Sequence, residues 1–433
     1  MRSVVSVFVE KAGKVLLLKR SDKVGSFKGC WGAVSGFVES EDSSPLFRAK
    51  QETIEEIGLN FNGNIIQGRP FSFVDKSSRK WKVFPFKFLT DAYPEVKLDW
   101  EHEEFRWVEC NPSEFKEPGP IVARLQTSWK RVSFSPDVVA DFCSIMQNRT
   151  SGAAELAIEA LSIFRKHLTP LTTFEDILDM SYSLAQLRPS MNSIQAVLVE
   201  TLCELEIQKH ERFMDLLDRK LHERKRVGES LLNHALEVVR GSVITHSLSG
   251  SVASALERAI RKGNLSNVIL TESRPLNEGV ALARKLASIE GSHSRITLIT
   301  DAQANLFTRQ ADMVLLGADC VTADKKIINK VGTEGILMIA QHLKKPVYIL
   351  CDSAKFIGNR SESIDWEIMD PNELGHDFPD LNVQIRNCYF EAADVGPCCF
   401  VTENGLLKPE DLQPVFNKRF NESQIWSRHE QLS

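Results

Sequence analysis

The sequence predicts an α/β protein with three consecutive parts, spanning residues 1–135, 136–240 and 241–433. Three observations support this prediction. Short β-branched runs surround a single helix in the first part, and apolar residues recur at spacings of three and four in the second. In the third part strands and helices alternate, which is typical of a doubly wound parallel sheet of the Rossmann-like kind. A chain of 433 residues has room for about two or three domains.

The first part begins with a predicted β-hairpin, because the apolar runs Val4–Glu10 and Val15–Arg20 flank a turn that contains Gly13. A helix is predicted at Pro45–Ile57, since proline is favoured in the first turn of a helix and Gly58 can end it. The other predicted elements are strands at Trp31–Ser35, Lys82–Leu89 and Phe105–Val108, a closing helix at Pro120–Arg131, and a linker within Ser133–Arg149.

The second part is predicted to be helical and the third to alternate. The predicted helices of the second part are Ala154–Lys166, Phe174–Leu187, Ser193–Arg219 and Glu229–Val239. The third part has predicted strands at Ser242–His246, Asn267–Glu272, Ile296–Asp301, Met313–Gly317 and Pro346–Cys351, and predicted helices at Val252–Arg261, Glu278–Ser288 and Thr333–Leu343. Ligands of such sheets bind beyond the carboxyl ends of the strands, so we expect functional residues there.

The composition changes along the chain and excludes some classes of function. The first 136 residues hold 21 Lys and Arg, 18 Asp and Glu, and five of the seven Trp, whereas the whole chain has a formal charge of −5. Neither portion is basic enough to predict nucleic-acid binding. No apolar run approaches the ~18 residues that cross a bilayer, so no membrane association is expected. Nine cysteines without a CxxC pair favour a reducing, cytoplasmic location.

Three carboxylates of the predicted helix Pro45–Ile57 form the first candidate site. Glu52, Glu55 and Glu56 have i, i+3, i+4 spacing, so they project from one helical face and repel one another unless a cation neutralises them. Oxygen ligands at this density suit Mg²⁺ or Mn²⁺, which can clamp a diphosphate and activate water. The alternative is an acidic helix face in contact with solvent only.

The segment from Gly36 to Leu59 resembles the Nudix hydrolase signature. The residues that match it directly are Glu52, Glu55, Glu56, Gly58 and Leu59. The resemblance covers about residues 1–135 and implies an α/β/α sandwich that hydrolyses a nucleoside diphosphate linked to another group. It implies magnesium (or manganese) bound by Glu52, Glu55 and Glu56, with Glu56 and Glu55 as catalytic groups.

The segment also departs from the Nudix signature. Asp42 stands where the first Glu is expected, with one extra residue before the helix core, and Gln51 replaces an Arg that orients a catalytic glutamate in the family. A Nudix-like recognition module without chemistry is therefore the alternative for this part.

Polar clusters follow the predicted strands of the third part. They include Ser249, Gly250 and Ser251 at a helix start, Arg274 after the next strand, and Asp319, Asn329, Lys330 and Lys355 further along the chain. Hydroxyls and backbone N–H groups at a helix start, with nearby cations, suit a phosphorylated small molecule, and Asp319 is a candidate acid or base. Each residue alone is more often a cap or a surface group, and the recurrence of such clusters at successive strand ends is what favours a binding site.

From about Arg149 to Phe416 these motifs resemble the family that joins the alpha, beta and delta subunits of translation initiation factor 2B with isomerases of methylthioribose 1-phosphate and ribose 1,5-bisphosphate. The resemblance implies phosphate binding by Arg149, Gly152 and Ala153, a substrate arginine at Arg188, a general acid at Asp319, a substrate-binding pair at Asn329 and Lys330, and a phosphate-binding lysine at Lys355. It also implies a homo-oligomer that associates through this domain.

One position departs sharply from the isomerases, which carry a catalytic Cys where this chain has Ser247. A thiol has a pKa near ~8.5, whereas an unactivated hydroxyl does not ionise usefully at neutral pH. The sequence therefore predicts a Nudix hydrolase fused to a ribose-phosphate pocket with altered chemistry. The alternative is a non-enzymatic regulatory subunit, similar to those of translation initiation factor 2B.

Overall fold

The computed structural model describes residues 1–75, 77–111, 115, 118–148, 151–169, 171–189, 191–207, 213–290, 294–364, 369–376, 378 and 383–430. The chain forms two compact units. The first contains Met1–Arg149, Ile163–Arg188 and Gln424–Ser433, and the second contains Thr150–Ser162 and Pro189–Ser423. The domain bounds at residues 135 and 240 stay a prediction.

The described residues form strands and helices in the following order. The strands are β1 (Arg2–Lys11), β2 (Lys14–Arg20), β3 (Trp31–Gly32), β4 (Val34–Phe37), β5 (Asn64–Gln67), β6 (Phe71–Val74), β7 (Lys80–Leu89), β8 (His102–Glu109), β9 (Gly241–Thr245), β10 (Leu265–Thr271), β11 (Arg295–Ile299), β12 (Met313–Gly317), β13 (Cys320–Val321), β14 (Lys326–Lys330), β15 (Val347–Leu350), β16 (Phe390–Asp394), β17 (Cys399–Thr402) and β18 (Gly405–Leu407). The helices are α1 (Pro45–Ile57), α2 (Leu125–Lys130), α3 (Pro136–Gln147), α4 (Ala153–His167), α5 (Phe174–Gln186), α6 (Asn192–Ile207), α7 (Phe213–Val238), α8 (Gly250–Arg261), α9 (Glu278–Ala287), α10 (Ala304–Thr308), α11 (Thr333–His342), α12 (Gln413–Ser423) and α13 (Ile425–Arg428).

The first unit is a mixed sheet with helices on both faces. Strands β1 to β8 form one sheet in which β1 pairs in parallel with β7 and antiparallel with β2 and β4. Helix α1 packs Ala49 and Ile57 against one face of β1, and α2 contributes Trp129 to the core on the other face beside Phe8. The alternation of side chains along β1 supplies both cores.

Local signals fix the ends of α1, which has the predicted bounds. The Ser44 side chain accepts a hydrogen bond from the backbone N–H of Phe47, and Gly58 adopts a left-handed conformation that ends the helix. Serine is a favoured N-cap, and glycine reaches positive φ without a steric penalty. The carboxylate residues are therefore held on a helix whose rotation is fixed at both ends.

Most of the segment Ser133–Arg149, within which a linker is predicted, is helix α3, and the place of the linker stays a prediction. Ser135 caps α3, Pro136 occupies its first turn, and Val138, Phe142 and Ile145 are buried. This spacing places the three apolar side chains on one helical face, and burial of that face stabilises the helix.

The second unit contains the predicted parallel sheet. Its strand order is β11-β10-β9-β12-β15-β17-β18, with parallel pairing from β11 to β17 and an antiparallel edge strand β18. The doubly wound α/β architecture is thus confirmed. A small antiparallel sheet of β13, β14 and β16 follows β12. This arrangement brings the end of β14 into the same unit as the carboxyl ends of β9 and β10.

The break predicted between Arg219 and Glu229 is absent, because α7 runs without interruption for 26 residues. Gly228 lies inside α7, and a glycine within a helix costs only about 1 kcal/mol relative to alanine. No described helix of the chain is long and apolar enough to cross a membrane.

A buried ion-pair network joins three helices of the second unit. Glu200 of α6 receives hydrogen bonds from Lys220 of α7 at 2.8 Å and from Arg419 of α12 at 3.0 Å. Burial opposes ionisation of Glu200, but the two cations outweigh it and lower its pKa to about 2. The network therefore stabilises the unit only while Glu200 is ionised.

We expect Glu200→Gln to lower the free energy of unfolding by about 1–3 kcal/mol at pH 7, because it removes the charge that pairs with Lys220 and Arg419. The folded pKa lies below the unfolded value. The contribution should therefore be complete above about pH 5 and be lost as the pH falls towards 2. Urea unfolding of both proteins at several pH values measures this. Glu237→Gln, at an exposed position of α7, is the matched control, and an equal loss in that variant would contradict the assignment.

Candidate functional site

The carboxylate of Glu52 lies against the backbone of Gly36 on strand β4. A Cβ atom placed on Gly36 would fall 1.6 Å from Glu52 Oε1, so no other residue fits there without moving that carboxylate. Burial raises the pKa of Glu52 to about 7, and the charge of the exposed Glu55 adds to the effect. Packing of β4 against α1 therefore leaves the Glu52 carboxylate partly dehydrated.

Glu56 is buried with one oxygen unsatisfied. Its Oε1 accepts a hydrogen bond from the Ser35 backbone N–H at 3.3 Å, while Oε2 has no hydrogen-bond partner among the described residues. Burial raises the pKa of Glu56 well above its usual value, and the Glu52 charge raises it further. A buried carboxylate without a neutralising partner is costly, so this position calls for a proton or a cation.

A histidine faces the unsatisfied oxygen of Glu56. His102 Nδ1 lies 3.0 Å from Asp99 Oδ1, and its Nε2 lies 3.7 Å from Glu56 Oε2, which is too long for a hydrogen bond. Burial lowers the pKa of His102, so the ring is neutral at neutral pH. With Nδ1–H donating to Asp99, Nε2 presents a lone pair rather than a proton, and Glu56 gains no positive partner from it.

Arg48 supplies the cation that the signature residue Gln51 cannot. Its guanidinium makes two hydrogen bonds of 2.9 Å to the Asp42 carboxylate, and Nη1 lies 3.5 Å from Glu52 Oε1. The bidentate pair holds the loop before α1 against the first turn of the helix. Asp42, which departs from the signature, therefore serves as an anchor for Arg48.

The carboxylate oxygens of the acidic site suit a divalent cation, although the side chains of Glu52, Glu55 and Glu56 do not converge on one point. Glu52 and Glu56 offer carboxylate oxygens in a site that lacks a compensating charge for Glu56 Oε2, which fits a hard cation. Across the described part of the chain, no three His, Cys, Asp or Glu side chains lie close enough together to hold a metal ion. The metal-binding roles of Glu52, Glu55 and Glu56 stay a prediction.

In the second unit, His246 follows β9 and contacts residues at the ends of two other strands, β10 and β14. Its Nδ1 lies 2.6 Å from Thr271 Oγ1 after β10, and its Nε2 lies 2.9 Å from the carbonyl oxygen of Val331 after β14. Because a carbonyl only accepts, Nε2 carries the proton and Thr271 donates to Nδ1. Burial lowers the pKa of His246, in agreement with a neutral ring.

Ser247 follows His246 in a left-handed backbone conformation, with φ of 65°. Its backbone N–H donates to Ser273 Oγ at 2.8 Å, and the backbone N–H of Ser273 donates to Asp301 Oδ1 at the same distance. Both serines therefore lie in one hydrogen-bonded group at the ends of β9 and β10. The structure thus brings the predicted Ser247 to the expected edge of the sheet.

Asp319 lies among two lysines and a glutamate. Burial raises the pKa of Asp319, and the positive charges of Lys355 and Lys330 partly oppose the rise, whereas Glu278 adds to it. Lys330 Nζ pairs with Glu278 Oε1 at 2.9 Å, and Lys355 Nζ donates to the Ala318 carbonyl at 2.6 Å. The positive charges of Lys330 and Lys355 therefore act on Asp319, and each lysine already has a hydrogen-bond partner within the protein.

The other predicted phosphate-binding residues are placed less uniformly. Ser249 occupies the N-cap position of α8 without a side-chain capping hydrogen bond, and Gly250 and Ser251 form the first turn. Ser249 lies beside Gly317, where an added Cβ would fall 2.5 Å from Ser249 Oγ. Asn329 is buried and donates to Thr333 Oγ1 at 2.9 Å. The Arg274 guanidinium is exposed and donates to the Leu374 carbonyl at 2.9 Å, which directs it to a surface loop.

Gly152 and Ala153 lie at the start of α4, where the Ala153 carbonyl accepts a hydrogen bond from Ser193 Oγ at 3.2 Å. Arg188 belongs to the first unit, and its guanidinium donates to the Asn148 carbonyl. Arg149 lies outside the described residues. The substrate-binding roles of all these residues stay predictions.

A shallow cavity in the second unit contains none of the predicted site residues. It encloses about 370 Å³ of empty space, partly open to solvent, and its lining includes Asn192, Gln195, Phe356, Asn359, Arg419 and Glu422. Arg419 is already engaged by Glu200 and Glu422. The polar groups that could take part in chemistry lie at the strand ends instead.

Three residues of these sites were missed in the sequence because their roles depend on tertiary partners. They are Arg48, Asp99 and His102. Only Arg48 carried a local signal, since it precedes Glu52 by four residues, the spacing of a helical ion pair. Glu278 has one oxygen on Lys330 and the other buried without a hydrogen-bond partner among the described residues.

We expect Thr271→Val to lower the free energy of unfolding by about 1–3 kcal/mol, because it removes the donor at 2.6 Å from buried His246 Nδ1 and leaves only the Ser273 hydroxyl, 3.5 Å away. Thr245→Val is the matched control. Thr245 is equally buried, yet its hydroxyl has no hydrogen-bond partner among the described residues, so the change should be neutral or slightly stabilising. Denaturant midpoints of the three proteins measure this, and a loss in Thr245→Val equal to that in Thr271→Val would contradict it.

Comparison with known proteins matches two segments of the chain to separate families. Residues 1–124 match the NUDIX domain. A protein of Pyrococcus horikoshii named as translation initiation factor eIF-2B subunit 2-like is 31% identical over 281 residues, which cover 62% of this chain and 95% of that protein. A ribose 1,5-bisphosphate isomerase of Methanocaldococcus jannaschii is 27% identical over 283 residues, which cover 63% of this chain and 90% of the isomerase.

Solved structures agree on the fold. The translation initiation factor eIF-2B structure from Pyrococcus horikoshii superposes with a TM-score of 0.52 at 24% identity, covering 64% of this chain and 98% of that chain. The 5-methylthioribose 1-phosphate isomerase of the same organism gives 0.51 at 19% identity, covering 66% and 87%. Residues 149–409, more than half of the chain, match the family model of the Initiation factor 2 subunit family, and the protein, which carries a NUDIX domain at its N-terminal end, belongs to that family.

Proposed function

We propose that residues 1–135, within the first unit, form a Mg²⁺-dependent hydrolase of a nucleoside diphosphate linked to another group. The observation that carries this proposal is the partly buried Glu52 beside the buried Glu56, because the unsatisfied Oε2 of Glu56 and the raised pKa values of both carboxyls leave a place for a cation. A purely structural acidic helix face would be solvated, whereas Glu56 is buried. The NUDIX match supports the same reading.

Glu52 and Glu56, with Glu55 beside them, are the residues we assign to the cation. Mg²⁺ or Mn²⁺ supplies charge neutralisation for the diphosphate and lowers the pKa of a water when bound. Within the chain, Arg48 orients Glu52 and Gly36 leaves space for its carboxylate. Glu55 is exposed, so it can accept a proton from an attacking water at a solvent-accessible atom.

We propose further that the second unit binds a ribose phosphate at its strand ends and isomerises it slowly at most. Asp319, Lys330, Lys355 and Asn329 supply an acid, two cations and an amide. Ser247 lacks the easily ionised thiol of the isomerases. Cleavage of a nucleoside diphosphate sugar releases a sugar phosphate, which is the class of ligand that this second site would take. We also assign homo-oligomer formation to this unit.

A non-enzymatic regulatory role of the second unit is the other candidate. It is favoured by the internal partners of Lys330 and Lys355, which must be exchanged before either amine binds phosphate. The similarity to a protein named as an initiation factor subunit is in line with it. The two roles differ in whether Ser247 limits a reaction.

We expect Glu56→Gln to reduce hydrolytic turnover at least ~100-fold, because it keeps the volume but removes a charged ligand group. A panel of nucleoside diphosphate conjugates with Mg²⁺, assayed by released phosphate-ester products, identifies a substrate and then measures the loss. Glu95→Gln, on an exposed loop, should retain wild-type turnover. No turnover by the wild type on any conjugate, or full activity of Glu56→Gln, would refute the hydrolase.

We expect Ser247→Cys to raise isomerase turnover of ribose 1,5-bisphosphate, because a positioned acid–base group contributes roughly 100- to 10,000-fold. Asp319→Asn in the Ser247→Cys background should abolish the gain, while Ser247→Ala should not raise turnover. Calorimetric titration with ribose phosphates reports binding separately. Binding without any gain on Ser247→Cys would support the regulatory role, and no binding to either protein would exclude the sugar-phosphate pocket.

A further inference from the structure

A histidine outside helix α1 lies beside the unsatisfied oxygen of Glu56. His102 is the first residue of strand β8, where it is paired with Arg20 of β2. Its Nε2 lies 3.7 Å from Glu56 Oε2, and the two side chains are only 2% and 4% exposed. This separation is too long for a hydrogen bond, so the two buried atoms do not satisfy each other.

Asp99 fixes the orientation of the His102 ring. Its Oδ1 accepts a hydrogen bond from His102 Nδ1 at 3.0 Å and another from the backbone N–H of Glu101 at 3.1 Å. The backbone N–H of Asp99 donates to the carbonyl oxygen of Glu56 at 3.2 Å, near the end of α1. The residue that orients the ring is therefore bonded to the backbone of Glu56 itself, which fixes the ring relative to this glutamate.

The arrangement of Asp99 and His102 is the one that metal-binding histidines have in proteins. Such a histidine usually donates one ring N–H to a carboxylate, which leaves the lone pair of the other nitrogen for the metal. Only the neutral ring can bind a metal ion, and burial lowers the pKa of His102 and so favours that form. The second nitrogen, Nε2, is the one that lies towards Glu56.

The charges around Glu56 favour a cation over a bridging water between the two side chains. The negative charges of Glu52, Asp99 and Glu101 all act against ionisation of Glu56. A water can donate to both atoms, but it leaves this negative charge uncompensated, whereas a divalent cation binds both atoms and supplies the charge. Two ligand atoms at about 2.1 Å from one ion can be up to about 4.2 Å apart, so the separation of 3.7 Å fits.

We infer that His102 is a nitrogen ligand of the cation, with His102 Nε2 and Glu56 Oε2 bound to the same ion. The inference rests on the proposed hydrolase function and adds the class of metal that the site takes. The carboxylates assigned to the cation all lie on α1, whereas His102 lies on β8, outside the segment that resembles the signature. The described side chains offer no set of three convergent ligands, so water and diphosphate oxygens complete the coordination shell.

A nitrogen ligand changes the metal preference of the site. Mg²⁺ is a hard ion that favours oxygen ligands and gains little from imidazole, whereas divalent ions of the first transition row, such as Co²⁺, bind nitrogen more strongly. The site should therefore prefer Co²⁺ to Mg²⁺, and His102 should supply a large part of that preference.

The first test is calorimetric titration of the full chain with Co²⁺ and with Mg²⁺, in the absence of any nucleotide. His102→Ala should weaken Co²⁺ binding at least ~10-fold and leave Mg²⁺ binding nearly unchanged. Asp99→Asn should weaken Co²⁺ binding roughly 10- to 100-fold, because the ring loses its charged partner. His342→Ala, at an exposed position of α11, is the matched control and should bind both ions as the wild type does.

The second test is pulsed electron paramagnetic resonance of the full chain loaded with Mn²⁺, which detects the nitrogen of a coordinated imidazole directly. The wild type and His342→Ala should show ¹⁴N coupling, and His102→Ala should not. If His102→Ala does not fold, the wild type alone decides, because bound Mn²⁺ without ¹⁴N coupling overturns the inference. A wild type that binds neither Mn²⁺ nor Co²⁺, or an equal loss of Co²⁺ and Mg²⁺ binding in His102→Ala, overturns it as well.

These outcomes are separate from the test of the hydrolase. A chain that hydrolyses a conjugate with Mg²⁺ but shows no ¹⁴N coupling keeps the proposed function and loses His102 as a ligand. A chain that shows the coupling but hydrolyses no conjugate keeps the ligand and loses the hydrolase.

Discussion

Burial of the Glu56 carboxylate is the constraint on which the first unit depends. An ionised carboxylate removed from water costs several kcal/mol unless hydrogen bonds or a counter-charge offset it. Within the described residues its one hydrogen-bond partner is the backbone N–H of Ser35, the neutral His102 ring lies 3.7 Å from Oε2, and Glu52 adds repulsion. Arg48 pairs with Glu52 and Asp42 and, among the described residues, not with Glu56. The site is therefore incomplete as an all-protein arrangement, which is typical of positions where a ligand or an ion completes the charge balance.

The second unit handles buried charge in the opposite way. Lys330 is matched by Glu278, Lys355 by a carbonyl, and His246 by an acceptor and a donor on its two nitrogens. A phosphate that binds these lysines must replace their internal hydrogen-bond partners. Part of the binding free energy is therefore offset by the loss of the existing hydrogen bonds. Binding at the acidic site of the first unit requires no such exchange at Glu56. The two sites thus differ in how far their charges are satisfied before a ligand arrives.

Local sequence signals predict helices and strands of the fold, whereas the roles of several site residues depend on tertiary contacts. Helix α1 has its predicted bounds because a serine cap, a first-turn proline and a terminal glycine act within the segment itself. The segment of α3 carries a similar cap and proline at Ser135 and Pro136. The continuity of α7 through Gly228 and the roles of His102 and Glu278 depend on neighbours distant in sequence. Spacing along one strand or helix cannot reveal such partners.

Three non-glycine residues at the strand ends of the second unit have strained backbone conformations. Ser247, Ser273 and Asn277 all have φ near +60°, where a non-glycine residue costs on the order of 1 kcal/mol or more. Glycine would relieve the strain at each position. The Ser273 hydroxyl makes contacts that a glycine could not make, because it accepts a hydrogen bond from the Ser247 N–H and lies 3.1 Å from Thr271 Oγ1. No described side chain hydrogen-bonds the Ser247 hydroxyl, although the backbone there is strained and held from both sides. Ser247 therefore combines a strained backbone with an uncommitted hydroxyl beside a neutral histidine, and its role in a ribose-phosphate pocket stays a proposal.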